Sequence, residues 1–366
     1  MKKTIICLFC AVLLMIPYHA LADGDETGEV YRLLSPQGET VSFYAGTPSA
    51  GDEYIAANNE HYRVTQVDTQ GKLARMESLG KYPMPDVQWD TDSAKPVAAR
   101  QKAVALYCTH SDESYESGDG KSSLEKRGGI FDVAEKLKAS LEDKGIKVYL
   151  SENNHYPHDA GAYRRSRATA AALAEEGVDA IFDVHRDGIP DAGQYESKVA
   201  GDEVTKVRLL VGRSNQNADA NKQFAAQIKA VADQAYPGLI KDIYIGKGAY
   251  NQDLMSQSVL LEFGTHTSVK QAVLASTAYM ADVLNRTLYG GVKGPAGEGR
   301  GGAAVRKNTG GWKGAAWVIG LLIVGVFIYS VLSTGSISGA RDKWKRQFQE
   351  MTGGLTKRRD NNDDHS

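Results

Sequence analysis

The chain has 366 residues, 42% of them hydrophobic and 24% charged, with a formal net charge of −2. At about 150 residues per domain this length suits roughly two to three globular domains, and the composition excludes a wholly disordered or fibrous protein. The near-neutral balance offers no electrostatic footprint for nucleic acid, and the three cysteines exclude a disulfide scaffold and a four-cysteine zinc site.

At the N-terminus, Lys2 and Lys3 precede an uncharged apolar run from Ile5 to Ile16, followed by Pro17 and Ala20-Leu21-Ala22. A charged start, a short apolar core and an A-x-A exit read as a secretory signal over residues 1–22. The apolar run spans only about 18 Å as a helix, too short for a bilayer core of about 30 Å. Cleavage would remove Cys7 and Cys10 and leave Cys108 alone.

Residues 23–82 contain short alternating runs, such as Glu39 to Tyr44 and Tyr62 to Val67, separated by Gly, Asn and Asp turns. Period-two patterning predicts a small β module without a convergent catalytic set. His61 reads there as a structural or solvated side chain. Residues 83–100, with Pro83, Pro85 and Pro96, read as a linker.

From residue 101 to 289 strands and helices alternate. Apolar runs at Val104–Cys108, Ile146–Leu150, Ala180–Val184, Lys206–Val211 and Val259–Phe263 are separated by helical patterns at Ile130–Lys144, Tyr163–Glu176 and Ala218–Ala235; another helical pattern, Val269–Leu288, follows the last run. This order predicts an α/β domain with a mostly parallel sheet flanked by helices on both faces. Ten glycines among residues 290–314 read as a tether. Residues 315–333 then form an all-round apolar run with Trp317 and Tyr329 near its ends, which predicts a single transmembrane helix. With an exported N-terminus, the folded region would lie on the extracytoplasmic side, and the basic then polar tail, 341–366, in the cytoplasm.

The strand ends carry the chemistry. In a sheet of this kind the ligand crevice lies beyond the carboxyl ends of the strands. One strand ends at Thr109-His110, another at His185-Arg186-Asp187, and the run Val259–Phe263 contains Glu262. Two imidazoles and a carboxylate, with one position left for water, make a catalytic zinc shell, and a further carboxylate can take that water's proton. Glu262, inside an apolar strand, needs a partner because an unpaired buried carboxylate costs several kcal/mol. Glu113 and Glu125 both stand as candidates for the carboxylate ligand, Glu125 also being at a helix start where acids are favoured. His155 and His158 fall in a loop as substrate-binding or exposed groups, and His266 is a further candidate ligand.

The strings YCTHSDESY, DVHRDG, VGRSNQNADAN and NQDLMSQSVLLEFGTHTS resemble the stage II sporulation protein P family, in order and context. The resemblance covers about Val104 to Leu288, with a looser match at GDEYIAANNEHYRV. The segments from Leu124 to Glu152 and from Ala162 to Gly188 also resemble the broader zinc-dependent N-acetylmuramoyl-L-alanine amidases. In the broader pattern a glutamate matching Glu125 binds zinc; in the sporulation family the glutamate of the TH..ES string, matching Glu113, is the more familiar one. The expected centre is thus Zn²⁺ on His110, His185 and Glu125, with Glu113 as the alternative.

The resemblance implies cleavage of the amide between the muramic acid lactyl group and the L-alanine of peptidoglycan stem peptides, during sporulation engulfment. It also implies stage II sporulation proteins D and M as partners. Glu262 is the expected proton acceptor, and Arg186 and Asn251 are candidate substrate-binding residues. The family commonly has an N-terminal membrane helix; here a cleavable signal and a C-terminal anchor are expected instead. A zinc endopeptidase and a non-catalytic wall-binding scaffold are the alternative functions.

Overall fold

The computed structural model describes residues 29–87 and 101–290. The expected signal segment, tether, membrane span and tail lie outside these residues. Among the described residues no helix is long and apolar enough to cross a membrane.

The N-terminal region supplies five strands: β1 (Val30–Leu34), β2 (Thr40–Ala45), β3 (Glu53–Ile55), β4 (Glu60–Asp68) and β5 (Leu73–Lys81). The rest runs β6 (Ala103–Tyr107), α1 (Glu116–Asp119), α2 (Ile130–Glu142), β7 (Lys147–Leu150), α3 (Ala162–Glu175) and β8 (Ala180–Asp187). A hairpin of β9 (Glu196–Val199) and β10 (Asp202–Thr205) follows. Then come β11 (Val207–Gly212), α4 (Ala218–Ala235), β12 (Ile240–Gly246), β13 (Ser258–Thr265) and α5 (Lys270–Tyr289).

Eleven strands form one sheet in the order β2-β1-β5-β4-β3-β12-β11-β13-β8-β6-β7. The expectation of a mostly parallel sheet is corrected here, because the sheet is mixed. β13, β8, β6 and β7 are mutually parallel, but β11 pairs antiparallel with β13, and β12 runs with β11. The reason is in the connections. Helical crossovers α2, α3 and α4 join β6 to β7, β7 to β8 and β11 to β12, and each keeps the strand direction. Between β8 and β11 the chain passes through the β9–β10 hairpin instead, and between β12 and β13 through one short 3₁₀ turn, Gln252–Leu254. Without a helical crossover the strand returns in the opposite sense.

The expected linker, 83–100, lies for the most part outside the described residues. β3 pairs antiparallel with β12, with Tyr54 opposite Tyr244, so the N-terminal strands continue the same sheet. That half then curls back over one face. Phe43 of β2, the outermost strand, accepts a hydrogen bond from Arg208 of β11 at 2.8 Å, and the Tyr44 ring stacks on Tyr244 with centroids 4.0 Å apart.

Strand alternation separates the two faces. Val104, Leu106, Phe182, Val184, Leu209, Ile243, Val259 and Leu261 share one core with the apolar sides of α2, α4 and α5. In α2 that side is Ile130, Val133, Ala134, Leu137 and Leu141, the spacing of one helical stripe. On the opposite face Ala103, Ala105, Tyr107 and Ile181 pack against Ala170 and Leu173 of α3, so helices do cover both faces. By the same parity Asp183, His185, Asp187, Arg208, Asp242 and Glu262 fall on the α3 side. One face is oil; the other holds the charges.

Arg208 organises that charged face. It is 1% exposed, pairs with both carboxylate oxygens of Asp242 at 2.6 and 2.9 Å, and reaches Asp187 at 2.9 Å. Lys241 meets Asp242 at 2.8 Å and Ser42 at 2.9 Å. Burial alone would raise the Asp242 pKa, but the two cations outweigh it and hold the group ionised. Removing the central cation leaves two buried carboxylates with Lys241 as their remaining cation among these groups. Arg208→Met is therefore expected to cost about 3–5 kcal/mol in denaturant unfolding; a loss below about 1 kcal/mol would contradict this account of the curl.

Candidate active site

A cavity of about 310 Å³ opens where the curled strands meet α3 and the carboxyl ends of β6 and β8. His110, Glu113, His185 and Glu262 line it, with Tyr163 of α3 and Tyr44 of β2 as aromatic walls. The N-terminal strands thus supply part of the cavity wall, though their sequence shows no catalytic grouping.

The ligand-forming atoms of His110, Glu113 and His185 all lie within 4.8 Å of one another, and all three residues are buried. Glu113 Oε1 is 3.3 Å from His110 Nδ1, and Oε2 is 3.5 Å from His185 Nδ1. Oε2 also accepts the backbone N–H of Arg186 at 3.0 Å. The two imidazole rings meet edge to face, with centroids 4.7 Å apart. This donor set fits a divalent ion of the zinc type: two neutral-capable imidazole nitrogens and one carboxylate, gathered out of solvent.

Electrostatics follow from the packing. Burial works against the Glu113 carboxylate, but His185, His110 and Arg186 overcome it and hold its pKa well below the usual range. Burial likewise works against charged His185, yet the Asp183 and Glu113 carboxylates raise its pKa well above the ordinary imidazole value. His185 Nε2 stands 2.9 Å from Asp183 Oδ1, off the line of an aligned hydrogen bond. Nε2 thus faces Asp183 and Nδ1 faces Glu113.

Backbone geometry places Glu113. The loop after β6 folds onto the start of α2: Ile130 N–H donates to the Glu113 carbonyl at 2.9 Å, and Leu124 N–H to Asp112 at 2.8 Å. Gly128 is required there, since a Cβ at that position would lie 2.2 Å from the Glu113 carbonyl oxygen. Glu125, the expected third ligand, lies elsewhere. It is exposed and its Oε1 accepts from the Tyr156 hydroxyl at 3.3 Å, so the geometry puts Glu113 rather than Glu125 beside the imidazoles.

The other candidates separate into cavity and scaffold. Arg186 lines the cavity, but its guanidinium is bound to the carbonyls of Ser114 and Ser122, where it braces the Glu113 loop. Asn251 donates to the Tyr163 carbonyl and Ser166 Oγ at 3.0 and 3.1 Å, holding α3 rather than lining the cavity. His155 is a buried structural group, contacting the Cys108 carbonyl and Thr169. His158 lines the cavity, stacked on His110 with centroids 4.0 Å apart and 3.2 Å from Asp112. His266 also lines the cavity, outside the donor group, and His61 pairs with Glu53 at 2.8 Å. Sequence reading passed over Tyr44, Tyr163 and Asp183. Of these, Asp183 carries a local signal, the alternation Asp183-x-His185-x-Asp187 on one strand face.

Glu262 sits opposite His185 in the β8–β13 register. The residue is half-buried, but its Oε2 is sealed from solvent and has no hydrogen-bond partner. Burial, with Asp187 adding repulsion, pushes its pKa to about 8. The folded state then holds this proton more tightly than the unfolded chain, so stability is present at pH 5 and falls as pH rises toward 8. In chelator-treated protein Glu262→Gln is expected to match wild type in thermal unfolding at pH 5 and to exceed it at pH 9, by a few kcal/mol as an order of magnitude. Equal stability at pH 9 would contradict the elevated pKa.

Comparison with known proteins places these residues in a family frame. The model of the stage II sporulation protein P (SpoIIP) family matches residues 44–285. Stage II sporulation protein P of Bacillus subtilis (strain 168) is 23% identical over 258 residues, which cover 65% of this chain and 64% of that protein's length. Among solved structures, the N-acetylmuramoyl-L-alanine amidase AmiC2 of Nostoc punctiforme is 14% identical, with a TM-score of 0.32, over 52% of this chain and 96% of that one. The CwlD amidase of Clostridioides difficile, solved with the GerS lipoprotein, is 14% identical, with a TM-score of 0.36, over 51% of this chain and 96% of that one.

Proposed function

The chain belongs to the stage II sporulation protein P family, and from that premise we propose that it is a zinc-dependent peptidoglycan hydrolase. Its bond is the amide between the muramic acid lactyl group and the L-alanine of the stem peptide. The observation that carries this reading is the buried His110–Glu113–His185 group beside Glu262 in one cavity. Zinc held by those three side chains would supply Lewis acidity at the amide carbonyl and make a nearby water more acidic.

The chain's own groups do the rest. In its ionised form, which the charge of a bound zinc would favour over the metal-free state, Glu262 takes the water proton at Oε2 as the oxygen attacks the carbonyl carbon, then returns it to the departing L-alanine nitrogen as the C–N bond breaks. The products are a lactyl carboxylate and a free α-amine. Arg186 keeps the Glu113 loop closed on the imidazoles, and the Tyr44 and Tyr163 walls exclude water from the reacting amide. The same proposal places the activity on the extracytoplasmic face, anchored through residues 315–333, in septal wall remodelling with stage II sporulation proteins D and M.

Purified protein should carry about one zinc per chain, lose hydrolysis on chelation and regain it with added zinc. Mass spectrometry of digested peptidoglycan should find intact stem peptides with free L-alanine amino termini. Glu262→Gln should keep its zinc and lose at least about 100-fold in rate. Shortened peptides would overturn the choice of bond, and normal turnover by the variant would remove Glu262 from the reaction.

A further inference from the structure

Asp183 is a buried carboxylate, 3% exposed, two residues before His185 on β8. Its Oδ1 accepts the backbone N–H of Thr109 at 2.8 Å and its Oδ2 accepts the Thr109 hydroxyl at 2.6 Å. The same Oδ1 lies 2.9 Å from His185 Nε2. Because the Thr109 hydroxyl gives its proton to Asp183, the Ser166 hydroxyl of α3, 2.8 Å away, donates to it in turn. A carboxylate this deep costs several kcal/mol unless paired. Here its partners are a residue adjacent to one imidazole and the other imidazole itself.

We infer that Asp183 is a positioning residue that holds both histidines of the metal centre at once; this rests on the reading of His110, Glu113 and His185 as that centre. Through Thr109 it fixes the end of β6, from which His110 projects on the next residue. Through the 2.9 Å charge contact at Nε2 it holds the His185 ring with Nδ1 turned toward Glu113. Outer carboxylates of this kind orient a ligating imidazole and make it a better donor. Asp183 spans two ligands rather than one, and its parity on β8 puts it on the same face as His185.

The test compares full-length wild type with Asp183→Asn, Thr109→Val and Thr109→Ser, by chelator competition for zinc and by thermal unfolding in excess chelator. Asp183→Asn should weaken zinc binding about 10- to 100-fold with unfolding in chelator close to wild type. Thr109→Val should weaken it less, because the His185 contact survives, and Thr109→Ser, which keeps the hydroxyl, should restore it. Should Asp183→Asn fail to fold, the two threonine variants decide by the same criterion. Unchanged zinc affinity in Asp183→Asn and Thr109→Val overturns the inference alone, as does a loss that only tracks a fall in chelator-state stability. A wild type that binds no zinc overturns the metal reading beneath it, and the two failures are thereby distinguishable.

Discussion

A carboxylate cannot leave water for a site of 3% exposure unless charge or hydrogen bonds replace the lost hydration, and Glu113 is such a carboxylate. Its replacements are two imidazoles and one backbone N–H, drawn from two neighbouring strands. His110 requires the end of β6, His185 and the Arg186 amide require β8, and the neighbouring pairing of those two strands brings them together. The carbonyl of Glu113 then needs the close approach of Gly128 and the first turn of α2. Loop, helix start and strand ends are conditions of one buried charge.

The surrounding sheet is asymmetric for a related reason. Residues that face α2, α4 and α5 are apolar and need only be packed. The charged residues on the other face must be paired, and the curl of β1 to β5 provides this by bringing Ser42 and the Phe43 carbonyl onto Arg208 and Lys241. The same curl sets Tyr44 against Tyr244 and at the wall of the cavity. Packing of the N-terminal strands and the shape of the site are therefore set by one movement of the sheet.

Much of this was legible in the chain. The alternation of strands and helices was visible because apolar runs of period two and period 3.6 have different spacing, and Gly145 and Gly177 close α2 and α3 with positive φ. The positions of His110, His185 and Glu262 stood out because polar groups at the ends or middle of apolar strands have no packing reason. β12 did not stand out: Lys241 and Asp242 interrupt its apolar run, and only their burial with Arg208 explains them. The reversal at β11 was hidden because the sequence does not say that a hairpin replaces a helical crossover. The choice between Glu113 and Glu125 depended on how the loop folds onto α2, and Tyr44 reaches the cavity through long-range curvature. Local patterns carry neither.

The chemistry proposed for this family member depends on the three donors acting as one centre rather than as a self-neutralising ion cluster. Both arrangements satisfy Glu113, and they differ in what sits between the side chains. Anomalous diffraction at the zinc absorption edge, from crystals of the protein grown with zinc, separates them. The account predicts one strong peak within bonding distance of His110, Glu113 and His185, on the side facing Glu262. A peak at Glu125, or no peak among these three residues at full zinc occupancy elsewhere, would contradict it.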